Sequence, residues 1–317
     1  MRVEMPSING YEILRDFTSI GGGLCRWTFA RKDGKEYFLK EFLEPKYPVD
    51  GSPGSDSYKA KKRERCNRFE VYHETLRKTL RKIASPDGNL VVTVDFFRDG
   101  SIYYKVTEKV EATGLSPQEI SLLPFAQKKL ILISVAHSLS ILHGSMIVHG
   151  DLKPDNILIK QKNKDMYVAK LIDFDNSYIS KSPPEISDES DIVGTENYYS
   201  PEMGLYIKRD PRINTTDLDT NSDIYALGII FCQYLTGDIP IFPREYRYTW
   251  ESSLSGSTPQ INPKGIPKRL EELVNKMLLS DPKSRPSILK VFSDLKTCDN
   301  TDFIEPVSRL VQSKNLK

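Results

Sequence analysis

The segment His149-Gly150-Asp151-Leu152-Lys153-Pro154-Asp155-Asn156, followed by Asp173-Phe174-Asp175, constrains this 317-residue chain more than any other feature. Between the two groups, Ile157-Leu158-Ile159 and Ala169-Lys170-Leu171-Ile172 read as two short strands. A hairpin built from them brings Asn156, at the start of one strand, beside Asp173, at the end of the other. An acid, an ammonium, a carboxamide and a second acid are then gathered together. Phosphoryl transfer from ATP calls for such a set, because the protein must position groups and neutralise charge rather than do covalent chemistry. Asp151 is expected to accept or orient a hydroxyl proton and Lys153 to sit beside the moving phosphoryl oxygens. Asn156 and Asp173 are expected to hold Mg²⁺ through hard oxygen ligands.

These residues resemble those of the eukaryotic-type Ser/Thr protein kinases, and the resemblance runs over nearly the whole chain. The family's H-R-D-L-K-x-x-N loop stands here at 149–156 with Gly150 in place of Arg, and its D-F-G stands as Asp173-Phe174-Asp175. The resemblance implies a bilobal α+β fold with ATP in the cleft. Residues 1–107 would form a small antiparallel β-sheet lobe with one main helix, 108–112 a hinge, 113–300 a larger, mostly helical lobe, and 301–317 a peripheral tail.

The residues from Tyr11 to about Thr107 are strand-rich, with turn residues between short apolar runs. Gly21, Gly22 and Gly23 fall where the family has its phosphate lid, at 20–27, although the third glycine of G-x-G-x-x-G would fall near Cys25. After the turn signal Asp33-Gly34 comes Glu36-Tyr37-Phe38-Leu39-Lys40-Glu41-Phe42, which resembles the V-A-I-K strand. Lys40 is then expected to reach the α- and β-phosphates, and a lysine inside so apolar a strand calls for a paired acid. A helix over Cys66 to Ile83, with Phe69, Leu76, Leu80 and Ile83 at helical spacing, offers Glu70 first and Glu74 second. Residues 44–58, rich in Pro, Gly and Ser, read as an inserted surface loop, and the basic run Lys59 to Arg65 as a solvated helix entrance. The resemblance also puts Thr107 at the back of the adenine pocket, with backbone groups of Glu108 and Val110 bonding adenine.

In the carboxy-terminal half, Gly194-Thr195-Glu196-Asn197-Tyr198-Tyr199-Ser200-Pro201-Glu202 resembles G-T-x-x-Y-x-A-P-E, the platform for a peptide substrate that ends the activation segment 173–202. By that resemblance Thr195 bridges Asp151 and Lys153, and Glu202 pairs with Arg285 as a buried structural contact. Asn221 to Phe231 opens an apolar helix that Ser222 or Asp223 can cap, and the family implies that Asp223 also braces the catalytic loop. Gly150 removes the cation that in many relatives grips a phosphorylated activation loop. Activity is therefore expected without phosphate on Ser177, Ser180, Ser182, Ser187, Ser190 or Thr195. Asp175 in place of Gly is expected to stiffen the loop or to add an outer carboxylate near the metal.

Composition narrows the setting. A net charge of +2 gives no electrostatic argument for nucleic acid, and Cys25, Cys66, Cys232 and Cys298 show neither metal-ligand nor disulfide spacing. The longest apolar stretch, Leu130 to Leu142, is too short to span a bilayer and reads as a buried helix. A cytoplasmic enzyme acting on protein Ser/Thr hydroxyls, with any regulator a separate protein, is the expectation. Two rivals remain at this point. His-Gly-Asp with Ile-Asp-Phe-Asp also resembles aminoglycoside- and choline-type phosphotransferases, although these generally lack Lys153-Pro154, the Gly194 to Glu202 segment, Asp223 and Arg285. A pseudokinase, an interaction module without the chemistry, would fit the missing third glycine and Glu74.

Overall fold

The computed structural model describes residues 6–20, 25–183, 194–263 and 265–298. The chain divides into two compact units, one of Met1–Glu111 with Ile172–Asp175, the other of Ala112–Leu171 with Asn176–Lys317.

In the first unit, β1 (Ser7–Ile8), β2 (Tyr11–Ile13), β3 (Cys25–Lys32), β4 (Lys35–Phe42), β5 (Thr93–Asp99) and β6 (Ile102–Glu108) form one antiparallel sheet in the order β1-β2-β3-β4-β6-β5. The β3–β4 hairpin turns at Asp33 (φ 51°) and Gly34 (φ 75°), the pair of positive φ angles a tight two-residue loop requires. Alternation sends Leu39, Tyr104 and Val106 to one face, packed with Tyr11, Ile13 and Ala30. Phe42 and Tyr103 go to the other, packed with Cys25, Cys66, Phe69 and Phe96. Lys40 and Lys105 are direct cross-strand partners on that second face.

Helix α1 (Asp56–Ile83) covers this face and is longer than its apolar spacing alone predicts. Ser55 caps it by accepting from the backbone of Tyr58, and the Lys59 to Arg65 run, made of good helix formers, carries the first turns through solvent. Its buried stripe is Cys66, His73 and Leu80.

In the second unit, α2 (Pro117–Ser121), α3 (Phe125–Gly144), β7 (Ile147–Val148), β8 (Ile157–Asn163), β9 (Met166–Leu171) and β10 (Tyr178–Ile179) precede α4 (Pro201–Ile207), α5 (Asn221–Thr236), α6 (Thr249–Leu254), α7 (Lys268–Met277) and α8 (Ile288–Thr297). The helix α5 is buried along almost its whole length, while α7 and α8 bury one face each. Among the described residues α3 is the one helix long and apolar enough to cross a membrane by length and composition. Its Ile131, Leu132, Val135, Ala136, Leu139 and Leu142 are buried within the protein, and it packs on β9 and α8.

Two short pairings shape the functional loop. The expected hairpin is present, with Ile157 opposite Leu171, and β7 pairs β10 with Val148 opposite Tyr178. The second pairing lays Gly150 against the backbone of Asn176. Gly150 has φ +77°, and a Cβ there would lie 2.2 Å from the Asn176 carbonyl oxygen. The glycine is thus a backbone requirement, and an arginine could not take its place without moving the strand pair.

Gly150→Ala should destabilise the protein by more than the roughly 1–3 kcal/mol of positive-φ strain alone. Gly256→Ala, at φ +92° with open space around it, is the matched control and should show the backbone cost only. Urea unfolding midpoints of the two variants check this. Equal losses would mean that the Asn176 contact relaxes freely.

Candidate active site

The first unit holds a compact ionic cluster. Lys40 Nζ donates to both oxygens of Asp173 at 3.0 and 2.8 Å and to Asp175 Oδ2 at 2.7 Å. Lys105, 4% exposed, donates to Asp173 Oδ1 at 3.0 Å and also to Asp175 Oδ1. Two ammoniums directly opposite on neighbouring strands would repel, and two carboxylates from one loop cancel them. Asp173 sits at φ 58°, a left-handed conformation that Asp tolerates better than most side chains. Burial works against ionisation of Asp173, yet Lys105 and Lys40 together hold its carboxyl well below the usual range. Burial likewise works against the Lys40 ammonium, and Asp175 and Asp173 reverse that, so its pKa lies above the ordinary lysine value.

Neither sequence-predicted glutamate pairs with Lys40. Glu70 accepts from the Tyr103 hydroxyl at 2.6 Å and lies 3.9 Å from Arg98, while Glu74 is held by Arg77 at 2.8 Å. The residues of the helix that face the cluster are Tyr72 and His73. Tyr72 donates to the Asp175 carbonyl at 2.9 Å, and His73 Nδ1 lies 3.8 Å from Asp175 Oδ1. Lys105, Tyr72 and His73 were absent from the sequence-level site. Lys105 was discoverable, since a lysine in the apolar run Ile102 to Thr107 needs an acid as much as Lys40 does.

His73 packs among Phe69, Phe96 and Phe42, with ring centroids 4.3, 4.9 and 5.1 Å away. Burial is the main reason its pKa falls from 6.5 to about 4. Asp175 favours the proton, Lys105 and Lys40 oppose it, and burial prevails. Above pH 6.5 the imidazole is neutral in both states; as pH falls toward 4 the unfolded chain takes up the proton first, so stability is lost in that window. The loss should approach about 3 kcal/mol. His73→Phe, which keeps the ring packing, should flatten the profile of urea midpoint against pH, and an unchanged slope would exclude His73 as its source.

Thr107 and Glu108 end β6 opposite Phe38 and Tyr37, and Val110 follows half-buried. Gly21, Gly22 and Gly23 lie outside the described residues.

The second unit holds the loop 149–156. Lys153 Nζ donates to Asp151 Oδ2 at 2.9 Å and to Thr195 Oγ1 at 2.8 Å, and the Thr195 hydroxyl donates to Asp151 Oδ1 at 2.8 Å. Asn156 Nδ2 donates to the Asp151 carbonyl at 2.7 Å and to Asp151 Oδ2 at 3.2 Å, so both bonds use the amide nitrogen. Asp151, Lys153, Asn156 and Thr195 are thus brought together as expected.

Asp223 clamps the loop from below. It accepts from the backbone N–H of His149 at 2.7 Å and of Gly150 at 3.2 Å, and its Oδ2 lies 2.9 Å from His143 Nε2. The helix α5 begins after Thr220 with no side-chain cap bond, because Asp223 is used on the loop and Ser222 donates to Glu202. Glu202 in turn pairs bidentately with Arg285 at 2.7 and 2.8 Å, as expected. His143 was missed by sequence reasoning, its place on an apolar helix giving no signal. Ser177 is fully buried and donates to the His149 carbonyl at 2.9 Å, so this serine holds the loop.

A family model described as protein kinase domain matches residues 57–295. Among curated proteins, the chain is 30% identical over 223 residues to the serine/threonine-protein kinase PrkC of Bacillus subtilis, covering 68% of this chain and 32% of that protein. It is 34% identical over 151 residues to an Aurora kinase of Saccharomyces cerevisiae, covering 48% and 36%. It is 26% identical over 215 residues to the calcium and calcium/calmodulin-dependent serine/threonine-protein kinase DMI-3 of Medicago truncatula, covering 66% and 38%. The chain spans between 29% and 53% of the length of the first curated relatives it matches. With that match over most of its length, and a catalytic loop whose acid, lysine, asparagine and bridging threonine are joined by hydrogen bonds, this chain belongs to the protein kinase domain family.

Proposed function

We propose that this protein transfers the γ-phosphoryl group of ATP to Ser or Thr hydroxyls of protein substrates. The observation that carries the reading is the triangle of Asp151, Lys153 and Thr195, whose mutual contacts are all 2.8–2.9 Å. Asp151 accepts the acceptor hydroxyl's proton or orients that hydroxyl. Lys153 brings positive charge to the phosphoryl oxygens, and Thr195 fixes both.

Mg²⁺ would be held by the carboxylate of Asp173, in the first unit, and the carboxamide oxygen of Asn156, in the second, which are the hard oxygen ligands it prefers. When bound, the ion neutralises charge on the β- and γ-phosphates. Lys40 serves the α- and β-phosphates, Thr107 backs the adenine pocket, backbone groups of Glu108 and Val110 bond adenine, and Gly21 to Gly23 supply the phosphate lid. The fully buried Ser177 and the buried Ser180 support activity that does not depend on phosphate at those two positions. Four buried free thiols support a reducing, cytoplasmic setting.

The test is transfer of label from γ-labelled Mg-ATP to generic Ser/Thr protein substrates. Label that appears on protein Ser or Thr when the enzyme has first been dephosphorylated supports the reading; label only on small amino or hydroxyl compounds would replace it with the small-molecule class.

A further inference from the structure

We propose that Asp175, neutralised in part by Lys105, is the positioning carboxylate for Lys40, in place of an acid on α1. This rests on the kinase reading above and specifies how its ATP-binding lysine is held. The argument begins in the strand register. Lys40 on β4 and Lys105 on β6 stand directly opposite each other on the face covered by α1, both largely buried. A single carboxylate cannot balance two neighbouring ammoniums, and the loop after β9 supplies two, Asp173 and Asp175.

The acids of α1 are used elsewhere. Glu70 is bonded to Tyr103 and Glu74 to Arg77, so α1 presents Tyr72 and His73 to the cluster, and both address Asp175. Under the proposed function Asp173 is committed to the metal. Asp175 is then the carboxylate left to fix Lys40, and Lys105 is what makes a second acid in this loop tolerable. The lysine at 105 and the aspartate at 175 are therefore one device: with Lys105 lost, two carboxylates share Lys40, and with Asp175 lost, two ammoniums share Asp173.

The experiment compares Asp175→Asn, Lys105→Met, the Asp175→Asn/Lys105→Met double variant, Glu70→Gln, Glu74→Gln and the reference Lys40→Met. Titration with a fluorescent ADP analogue gives Kd, and steady-state assays give KM for ATP and kcat separately. Each of Asp175→Asn and Lys105→Met should raise Kd and KM roughly tenfold or more, and the double variant should lose less than the product of the two singles. Asp175→Glu should recover part of the loss. Glu70→Gln and Glu74→Gln, both at partly exposed positions, should stay within about twofold of the parent.

Loss in either glutamate variant as large as in Lys40→Met would overturn the proposal, even where Asp175→Asn fails to fold. So would an Asp175→Asn variant that binds nucleotide normally, or singles whose effects simply multiply. A parent protein whose nucleotide affinity is indifferent to Lys40→Met would instead overturn the kinase reading of Lys40, whatever Asp175 does.

Discussion

Asp151→Asn is expected to lower phosphoryl transfer by about 10²–10⁴-fold while leaving folding and ATP affinity close to those of the parent. The substitution preserves shape, so Lys153 and Thr195 keep a side chain to bond. It removes the acceptor of the hydroxyl proton and the charge that Lys153 faces at 2.9 Å. Because ATP is bound by other groups under this reading, the loss should fall on kcat and not on KM. Thr195→Ala is the graded companion. It deletes one bond to the Asp151 carboxylate and one from Lys153, and should cost roughly ten- to hundredfold, the size of charge-assisted hydrogen bonds worth about 1.5–3 kcal/mol. A variant at Asp151 that retains transfer within a few-fold of the parent would remove it from the chemistry.

The second large effect concerns stability. Arg285 and Glu202 form a bidentate pair with side chains 0% and 4% exposed. Glu202→Ala leaves a buried guanidinium without its counter-charge and should cost about 3–5 kcal/mol. Arg285→Leu should cost more. Besides Glu202, the guanidinium donates to the carbonyls of Leu279, Ser280 and Asn221, so its removal orphans three acceptors as well as one acid. The pair therefore does not behave as a symmetric ion pair, and a double apolar replacement should not restore full stability. Urea midpoints order the three variants. Arg285→Leu no worse than Glu202→Ala would show that the carbonyls find other donors. Since Asn221 opens α5 and Asp223 two residues on clamps His149 and Gly150, this loss should also loosen the catalytic loop.

What the sequence made legible was what is local. The loop 149–156 carries three functional side chains within six residues, and the strand signals on its far side predict the Ile157–Leu171 pairing. Glu202 with Arg285, and Asp223 on the loop, were legible through motif resemblance. The partner of Lys40 was not. The expected stripe of Phe69, Leu76, Leu80 and Ile83 lies on the same face of α1 as the buried Cys66, His73 and Leu80, but a stripe does not say which flanking side chains reach the cluster, and Glu70 and Glu74 bond to Tyr103 and Arg77 instead. His73 lies in the middle of that stripe, its ring packed among Phe42, Phe69 and Phe96 as an apolar group would be. Asp175 was read as stiffening the loop or as an outer acid, because its significance depends on Lys105 being opposite Lys40, and cross-strand register is not written in either strand alone. The loop expected over 44–58 ends sooner, because α1 starts at Asp56, and its first, solvent-exposed turn carries no hydrophobic period to mark it.

The most direct test of the account is the fate of the γ-phosphate. Labelled Mg-ATP is offered to the protein itself, to generic Ser/Thr protein substrates and to small amino or hydroxyl acceptors, with Asp151→Ala and Asp173→Ala alongside. The account predicts label on protein Ser or Thr that both substitutions abolish. ATP binding without any transfer would contradict it and leave an interaction module, and transfer confined to small acceptors would contradict it in favour of a small-molecule phosphotransferase.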